Sequence, residues 1–419
     1  MRRILASILF IAVLAAAALF FATHLTIPGE ERAQHALVPD LVKRGSELAA
    51  LGYCASCHTV ENGKPFAGAR PLATPFGTIY GTNITPDPER GIGAWSQTAF
   101  NRAMRDGIDR AGHDLYPAFP YDHFTRLTDQ DLSALYAFLM TRAPVKAPNP
   151  ANELAFPYNL RALLTGWKLL YLDKGRVARD DSKSAEWNRG AYLVEAVSHC
   201  GACHTPRDRL GAEIASQHFD GGEAEGWWAP PLNRNSPSPV AWSEESLFNY
   251  LRSWDAVHGG AVGPMAPVVS ALATVPEADV RAIATYVASM LAAHGESERR
   301  VEDRQAQAAQ ANPEGAGLYA GICATCHETG GRVPFTVASL GQHTSIYAPD
   351  PRNVIHVILR GIQPPEGTVG AIMPAFADTL NDGQTEQIVA YLRARFSSAP
   401  QWSNIADEVA RVRRREASP

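Results

Sequence analysis

The sequence predicts a mainly α-helical protein made of three tandem copies of one unit behind an apolar N-terminal helix. Three observations carry this. One five-residue cysteine and histidine motif occurs three times, at 54–58, 200–204 and 323–327. Each copy is followed by amphipathic helical stretches with shared landmarks, and an apolar run opens the chain.

Taking the opening run first, Met1, Arg2 and Arg3 precede a stretch from Ile4 to Ala22 that is apolar except for Ser7. As a helix it is long enough to cross a hydrocarbon core of roughly 30 Å. The two arginines would stay in the cytoplasm. A cleaved signal peptide is the competing reading, but its apolar core is shorter and ends in a small-x-small site, which Phe20 and Phe21 spoil here. Residues 1–30 are thus a transmembrane anchor or a signal helix, and either places the remainder outside the cytoplasm, on the periplasmic side of the inner membrane.

The body that follows has the composition of a folded protein. It is 46% hydrophobic and 19% charged, and 419 residues exceed the usual size of one core. A formal charge of −5 supplies no basic field, which excludes nucleic acid as a partner class.

In an exported chain six cysteines suggest three disulfides. Their spacing says otherwise, because all six fall into Cys54-Ala55-Ser56-Cys57-His58, Cys200-Gly201-Ala202-Cys203-His204 and Cys323-Ala324-Thr325-Cys326-His327. With only 13 histidines in 419 residues, a histidine directly after all three pairs is not an accident. C-x-x-C-H is the attachment sequence of c-type haem: both sulfurs form thioethers and the histidine becomes an axial iron ligand. A thioredoxin-like pair would need a βαβ context that is absent. A structural zinc site would pair C-x-x-C units within tens of residues, whereas these lie 146 and 123 residues apart. The expected cofactors are three covalently bound haem c groups, on Cys54 and Cys57, Cys200 and Cys203, and Cys323 and Cys326, with His58, His204 and His327 as iron ligands.

The repeat around these motifs sets the domains. A glycine-bearing helical stretch precedes each one, at Arg44-Gly45, Arg189-Gly190 and Gly315-Ala316-Gly317, and a second amphipathic helix follows, from Leu127 to Tyr136, Val275 to Tyr286 and Leu380 to Tyr391. Thr128 with Asp131 resembles a capping box, and Pro276 suits a first helical turn. Between the two helices, Ala94-Trp95-Ser96 recurs as Ala241-Trp242-Ser243, each opening a stretch that runs to Met104-Arg105 or Leu251-Arg252; Leu359-Arg360 ends the third copy. The domains expected are 36–143, 184–295 and 312–398, with a connector at 144–183, a linker at 296–311 and a C-terminal tail at 399–419. The tail's Arg411 to Arg415 reads as a solvated terminus. The apolar patch of Leu163-Leu164, Trp167 and Leu169-Leu170-Tyr171 reads as interdomain packing, or, if exposed, as a docking surface.

A haem iron that stores one electron at high potential commonly has His and Met on opposite faces. Met265 in Gly263-Pro264-Met265 and Met373 in Ile372-Met373-Pro374 occupy corresponding loops of units two and three, and are the expected sixth ligands. Unit one has no methionine in that loop, which reads Leu115-Tyr116-Pro117-Ala118-Phe119-Pro120-Tyr121. Met104, aligned with Leu251 and Leu359, is the first candidate there, followed by His113 and His123; an open site is the remaining option.

With these motifs, the stretch Gly77 to Asp87, Leu115 to Tyr121 and Gly263-Pro264-Met265, the chain resembles the three-haem cytochrome c subunits of bacterial membrane-bound dehydrogenases, the gluconate and alcohol dehydrogenase family, over nearly its whole length after the anchor. The resemblance implies three mainly helical cytochrome c domains. Many relatives carry methionine where this chain has Phe119, and the Tyr-Pro-Ala-Phe-Pro-Tyr version is similar to members that accompany molybdenum hydroxylases acting on aldehydes or N-heterocycles. The function expected is electron transfer from a periplasmic dehydrogenase catalytic subunit (a molybdenum enzyme, an alcohol dehydrogenase or a gluconate-type dehydrogenase) to quinone or a terminal oxidase. No catalytic triad, phosphate loop or paired-acid site appears, so no catalytic residue is assigned. The alternative is a haem enzyme whose open first site binds a small ligand such as peroxide.

Overall fold

The computed structural model describes residues 24–28, 38–292, 303–328, 339–363 and 372–416. The expected anchor at 4–22 lies outside them. Among the described residues no helix is long and apolar enough to cross a membrane. The chain forms two compact units, one holding everything up to Ala178 together with Glu195–His199, the other Arg179–Val194 and Cys200 onward.

In the first unit, α1 (Pro39–Leu51) starts on a proline, which suits the first turn, and leads into the short motif helix α2 (Cys54–His58). A hairpin of β1 (Pro71–Thr74) and β2 (Gly77–Tyr80) follows, then α3 (Gln97–Asp106) and α4 (Asp129–Met140). Ser96 caps α3 by accepting from the Ala99 amide, and Thr128 caps α4 by accepting from the Asp131 amide. Asp131 Oδ1 also accepts from Arg44 Nε at 3.3 Å, tying α1 to α4. Residues 144–178 of the connector belong to the same unit: β3 (Glu153–Leu154) pairs antiparallel with β2, and α5 (Leu163–Tyr171) follows it.

The second unit repeats the plan twice. Its first copy comprises α6 (Ala185–Tyr192), a π-helical turn Leu193–Val197 that ends in the first unit, the motif helix α7 (Gly201–His204), a hairpin of β4 (Gly222–Ala224) and β5 (Trp227–Ala229), then α8 (Glu244–Arg252), α9 (Met265–Leu272) and α10 (Glu277–Leu291). Pro276 stands one residue ahead of α10, at its cap, rather than within the first turn. Arg189 Nε and Nη2 donate to the two oxygens of Asp279 at 2.8 and 3.1 Å, the counterpart of Arg44 and Asp131. The second copy comprises α11 (Gln305–Ala311), α12 (Pro313–Leu318), the motif helix α13 (Ala324–His327), α14 (Arg352–Arg360), α15 (Asp382–Phe396) and α16 (Ile405–Glu416).

The helix crossing of each copy is built on a glycine. A Cβ on Gly45 would lie 2.0 Å from the Ala134 carbonyl oxygen, on Gly190 1.9 Å from that of Ala282, and on Gly315 2.4 Å from that of Gln387. Only hydrogen at those positions lets the two backbones approach so closely.

The described part of the 296–311 linker is largely helix, with Ala308 buried against the third copy. One expectation, about the segment after the copies, is corrected. The C-terminal tail is not a solvated terminus: Val409 and Val412 of α16 are buried in the same core as Ile388 and Leu392, and Arg413 donates to the carbonyls of Ala377 and Leu380. A valine pair three residues apart gives α16 an apolar stripe that its many arginines hide in the sequence.

Candidate haem sites

In α2 one helical turn carries Cys54, Cys57 and His58; α7 and α13 carry the second cysteine and the histidine of their motifs, with Cys200 and Cys323 at the cap just before them. Among the described residues no disulfide joins any of the six cysteines. Burial, with neighbouring Cys57 adding to it, pushes the Cys54 thiol up to about 12; burial and Cys326 push Cys323 up to about 11. Free thiols so placed stay protonated at neutral pH.

The histidines are oriented from behind. His58 Nδ1 donates to the Thr82 carbonyl at 2.6 Å, and His204 Nδ1 to the Pro230 carbonyl at 2.7 Å. With Nδ1 engaged as donor, Nε2 is the nitrogen left for iron, and the acceptor raises its basicity. Burial lowers the pKa of both imidazoles against the pull of the carbonyl, so each is neutral, the form that ligates metal. His327 Nδ1 is buried without a hydrogen-bond partner among the described residues; the loop that follows it, 329–338, lies outside them.

A second set of contacts, not foreseen from the sequence, braces the first two sites. Phe66 N donates to Thr59 Oγ1 at 3.1 Å and Phe219 N to Thr205 Oγ1 at 3.1 Å, while Gly68 N reaches the His58 carbonyl at 2.7 Å and Gly221 N that of His204 at 2.9 Å. Gly68 and Gly221 have φ of 80° and 88°, where a side chain is strained. The shared signal was present as His-Thr followed by Phe-x-Gly in both copies.

The candidate sixth ligands fall as follows. Met104 is buried on α3, Leu251 on α8 and Leu359 on α14. The arginine after the first two does the same work in each: Arg105 Nη2 donates to the Leu127 carbonyl at 3.1 Å and Arg252 Nη1 to that of Val275 at 2.9 Å. In the third copy Arg413 supplies the bond to the Leu380 carbonyl. Met265 opens α9 and is half-buried. Met373 is bonded through its backbone to Ile362 in both directions at 2.9 Å, and its side chain borders the same apolar cluster as Cys323. His113 is exposed and paired with Asp109 at 3.1 Å. His123 is buried, with Nδ1 against the Glu195 carbonyl at 2.9 Å. Phe119 packs on Phe124, centroids 5.4 Å apart.

Thiols in pairs, a neutral histidine directed by its Nδ1 bond and an apolar surround fit a covalently attached haem. The comparisons agree. A family model described as cytochrome c matches residues 42–143, and one described as cytochrome c oxidase, cbb3-type, subunit III matches residues 310–392. Among curated proteins, the chain is 37% identical to the fructose dehydrogenase cytochrome subunit of Gluconobacter japonicus, over 89% of this chain and 82% of that one. It is 37% identical to the gluconate 2-dehydrogenase cytochrome c subunit of Pantoea cypripedii, over 90% of each. It is 46% identical to a nicotinate dehydrogenase subunit of Pseudomonas putida over 89% of this chain, but spans only 32% of that protein's length. The chain belongs to the cytochrome c subunits of bacterial dehydrogenases, and covalently bound haem c is its cofactor.

Proposed function

We propose that the chain carries three haem c groups and relays electrons from the catalytic subunit of a dehydrogenase, on the periplasmic side of the inner membrane to which its N-terminal run anchors it, to quinone or a terminal oxidase. The observation that carries this reading is the threefold recurrence of one turn bearing two thiols and an imidazole, each copy behind a glycine-built helix crossing. When bound, haem supplies the one-electron chemistry. The chain's own part is to hold each imidazole by its Nδ1 bond, to keep water away with apolar packing, and to offer Met265 and Met373 to the second and third irons. Met104 is the ligand proposed for the first.

The donor favoured is a dehydrogenase of the nicotinate type, one acting on an N-heterocycle or aldehyde. The 46% identity to a nicotinate dehydrogenase subunit supports it, against 37% for the fructose and gluconate relatives.

The test is the optical spectrum of the purified protein, oxidised and reduced, with haem counted as the pyridine complex and carbon monoxide titrated in. Three low-spin haems inert to carbon monoxide are expected, and Met104→Ala should open one of them to carbon monoxide. A count other than three refutes the relay of three. A haem that binds carbon monoxide in the unmodified protein removes Met104 from the ligand set.

A further inference from the structure

Ten large hydrophobic side chains stand exposed among the described residues, and six of them fall within fifteen consecutive positions: Phe156, Tyr158, Leu160, Leu163, Leu169 and Leu170. Leu169 is 84% exposed and Leu170 73%. The stretch includes α5, whose two faces differ. Leu164, Thr165 and Lys168 turn inward, where Thr165 Oγ1 donates to Asp114 Oδ2 at 2.6 Å and Lys168 pairs with the same carboxylate. Leu163, Gly166, Leu169 and Leu170 occupy the other face at helical spacing, and a Cβ built on Gly166 meets nothing within 4 Å. Single exposed hydrophobics are ordinary; a contiguous set on one helix and its lead-in marks a surface that something covers.

What covers it follows from where the apolar N-terminal run ends. That run closes at Ala22, and two residues later His24 Nε2 meets Asp114 Oδ1 at 3.2 Å, so the end of the run and the inner face of α5 share one carboxylate. The segment is pinned along its length. Ile27 N donates to the Arg110 carbonyl at 2.9 Å, Arg102 Nη1 to that of Leu25 at 2.6 Å, and Gly112 lies so close that a Cβ there would stand 2.0 Å from the His24 oxygen. Leu25 is itself 64% exposed. A run that crosses a bilayer brings residue 24 to the membrane surface, and with it the helix bound to the same aspartate.

We propose that α5 and its lead-in from Phe156 lie on the membrane, with Leu163, Leu169 and Leu170 set into the outer boundary of the lipid. This rests on reading the N-terminal run as an anchor. An interfacial helix buries its apolar face about 5–10 Å into that boundary. The arrangement fixes the orientation of the first unit against the bilayer, which a single flexible tether would not do.

The test uses the full chain in nanodiscs of phosphatidylethanolamine and phosphatidylglycerol, with a benzophenone amino acid replacing Leu169 or Leu170, and Asp181 as an exposed control. After irradiation, intact mass should show lipid adducts at positions 169 and 170 and none at 181. Adducts to a second copy of the chain, or to a catalytic subunit added to the nanodiscs, or no adducts at 169 and 170, overturn the proposal. The same spectra report the N-terminus. A chain that has lost residues 1–22 refutes the anchor reading itself, whereas an intact, disc-bound chain without lipid adducts refutes only the placement of α5.

Discussion

At the scale of single residues, the histidine orientation depends on backbone acceptors, Thr82 and Pro230, that no side-chain motif encodes. Asp114 is the reverse case, a carboxylate that organises backbone around it. Burial alone would raise its pKa, but Lys168, Thr165 and His24 donate to it and together hold it below the usual carboxylate range. A carboxyl with a depressed folded-state pKa contributes stability above its unfolded value, and that contribution is lost as pH falls through the folded one. Amide exchange at Ile27, which sits in the segment tied to Asp114, should therefore stay slow from neutral pH down to the ordinary value of 3.8 and open below it. Asp114→Asn should remove that step; opening well above 3.8 in the unmodified chain would assign the tie to another group. The motif cysteines and histidines were legible because covalent haem chemistry demands fixed spacing. Asp114 was not, since its partners His24 and Thr165 lie far from it in the sequence and meet it only once the loops are placed.

At the scale of elements, the helix crossings make opposing predictions for one kind of substitution. Gly45→Ala or Gly190→Ala drives a methyl group into a carbonyl 2.0 or 1.9 Å away, and overpacking of this kind costs about 1–3 kcal/mol. Gly317→Ala, where a Cβ meets nothing within 4 Å, should gain roughly 0.5–1 kcal/mol from reduced backbone entropy. Denaturant unfolding of the three variants checks both signs, and a stable Gly45→Ala would mean that α1 and α4 can separate without loss. The sequence showed these glycines as landmarks of a repeat and held no hint of which one faced a neighbouring backbone. The C-terminal helix was misread for a related reason: Arg411, Arg413 and Arg414 dominate its composition, while the residues that fix its place are Val409, Val412 and the guanidinium of Arg413 on two carbonyls. Deleting 399–419 also removes the buried Trp402 and Ile405, and burial of one such side chain is worth about 1.5–3 kcal/mol. The truncated chain should show a markedly lower midpoint for the second unit, with no change in that of the first.

At the scale of the molecule, the sequence shows three equal repeats whereas the compact units number two, and the second unit contains the reason its two copies stay together. Trp228 N donates to Asn353 Oδ1 at 2.9 Å and Asn353 Nδ2 returns a bond to the Trp228 carbonyl at 2.8 Å, so one side chain completes the hydrogen bonding of the β5 backbone. Beside it the ring of Trp227 stacks on His356 of α14, centroids 4.5 Å apart and planes within 14°, and Arg352 pairs with Glu223. All four contacts link the hairpin of one copy to the helix of the next, and none is suggested by the internal periodicity, because they arise where the copies differ. Hydrogen bonds of this kind contribute about 0.5–1.5 kcal/mol each and an aromatic stack a similar amount, enough together to couple two small bodies of marginal stability. Calorimetry of the haem-loaded protein should then show the second unit unfolding in a single transition. Trp227→Ala combined with Asn353→Ala should split it in two, the copies melting separately while the haem spectrum at low temperature is retained. A double variant that still melts as one would place the coupling elsewhere in the second unit.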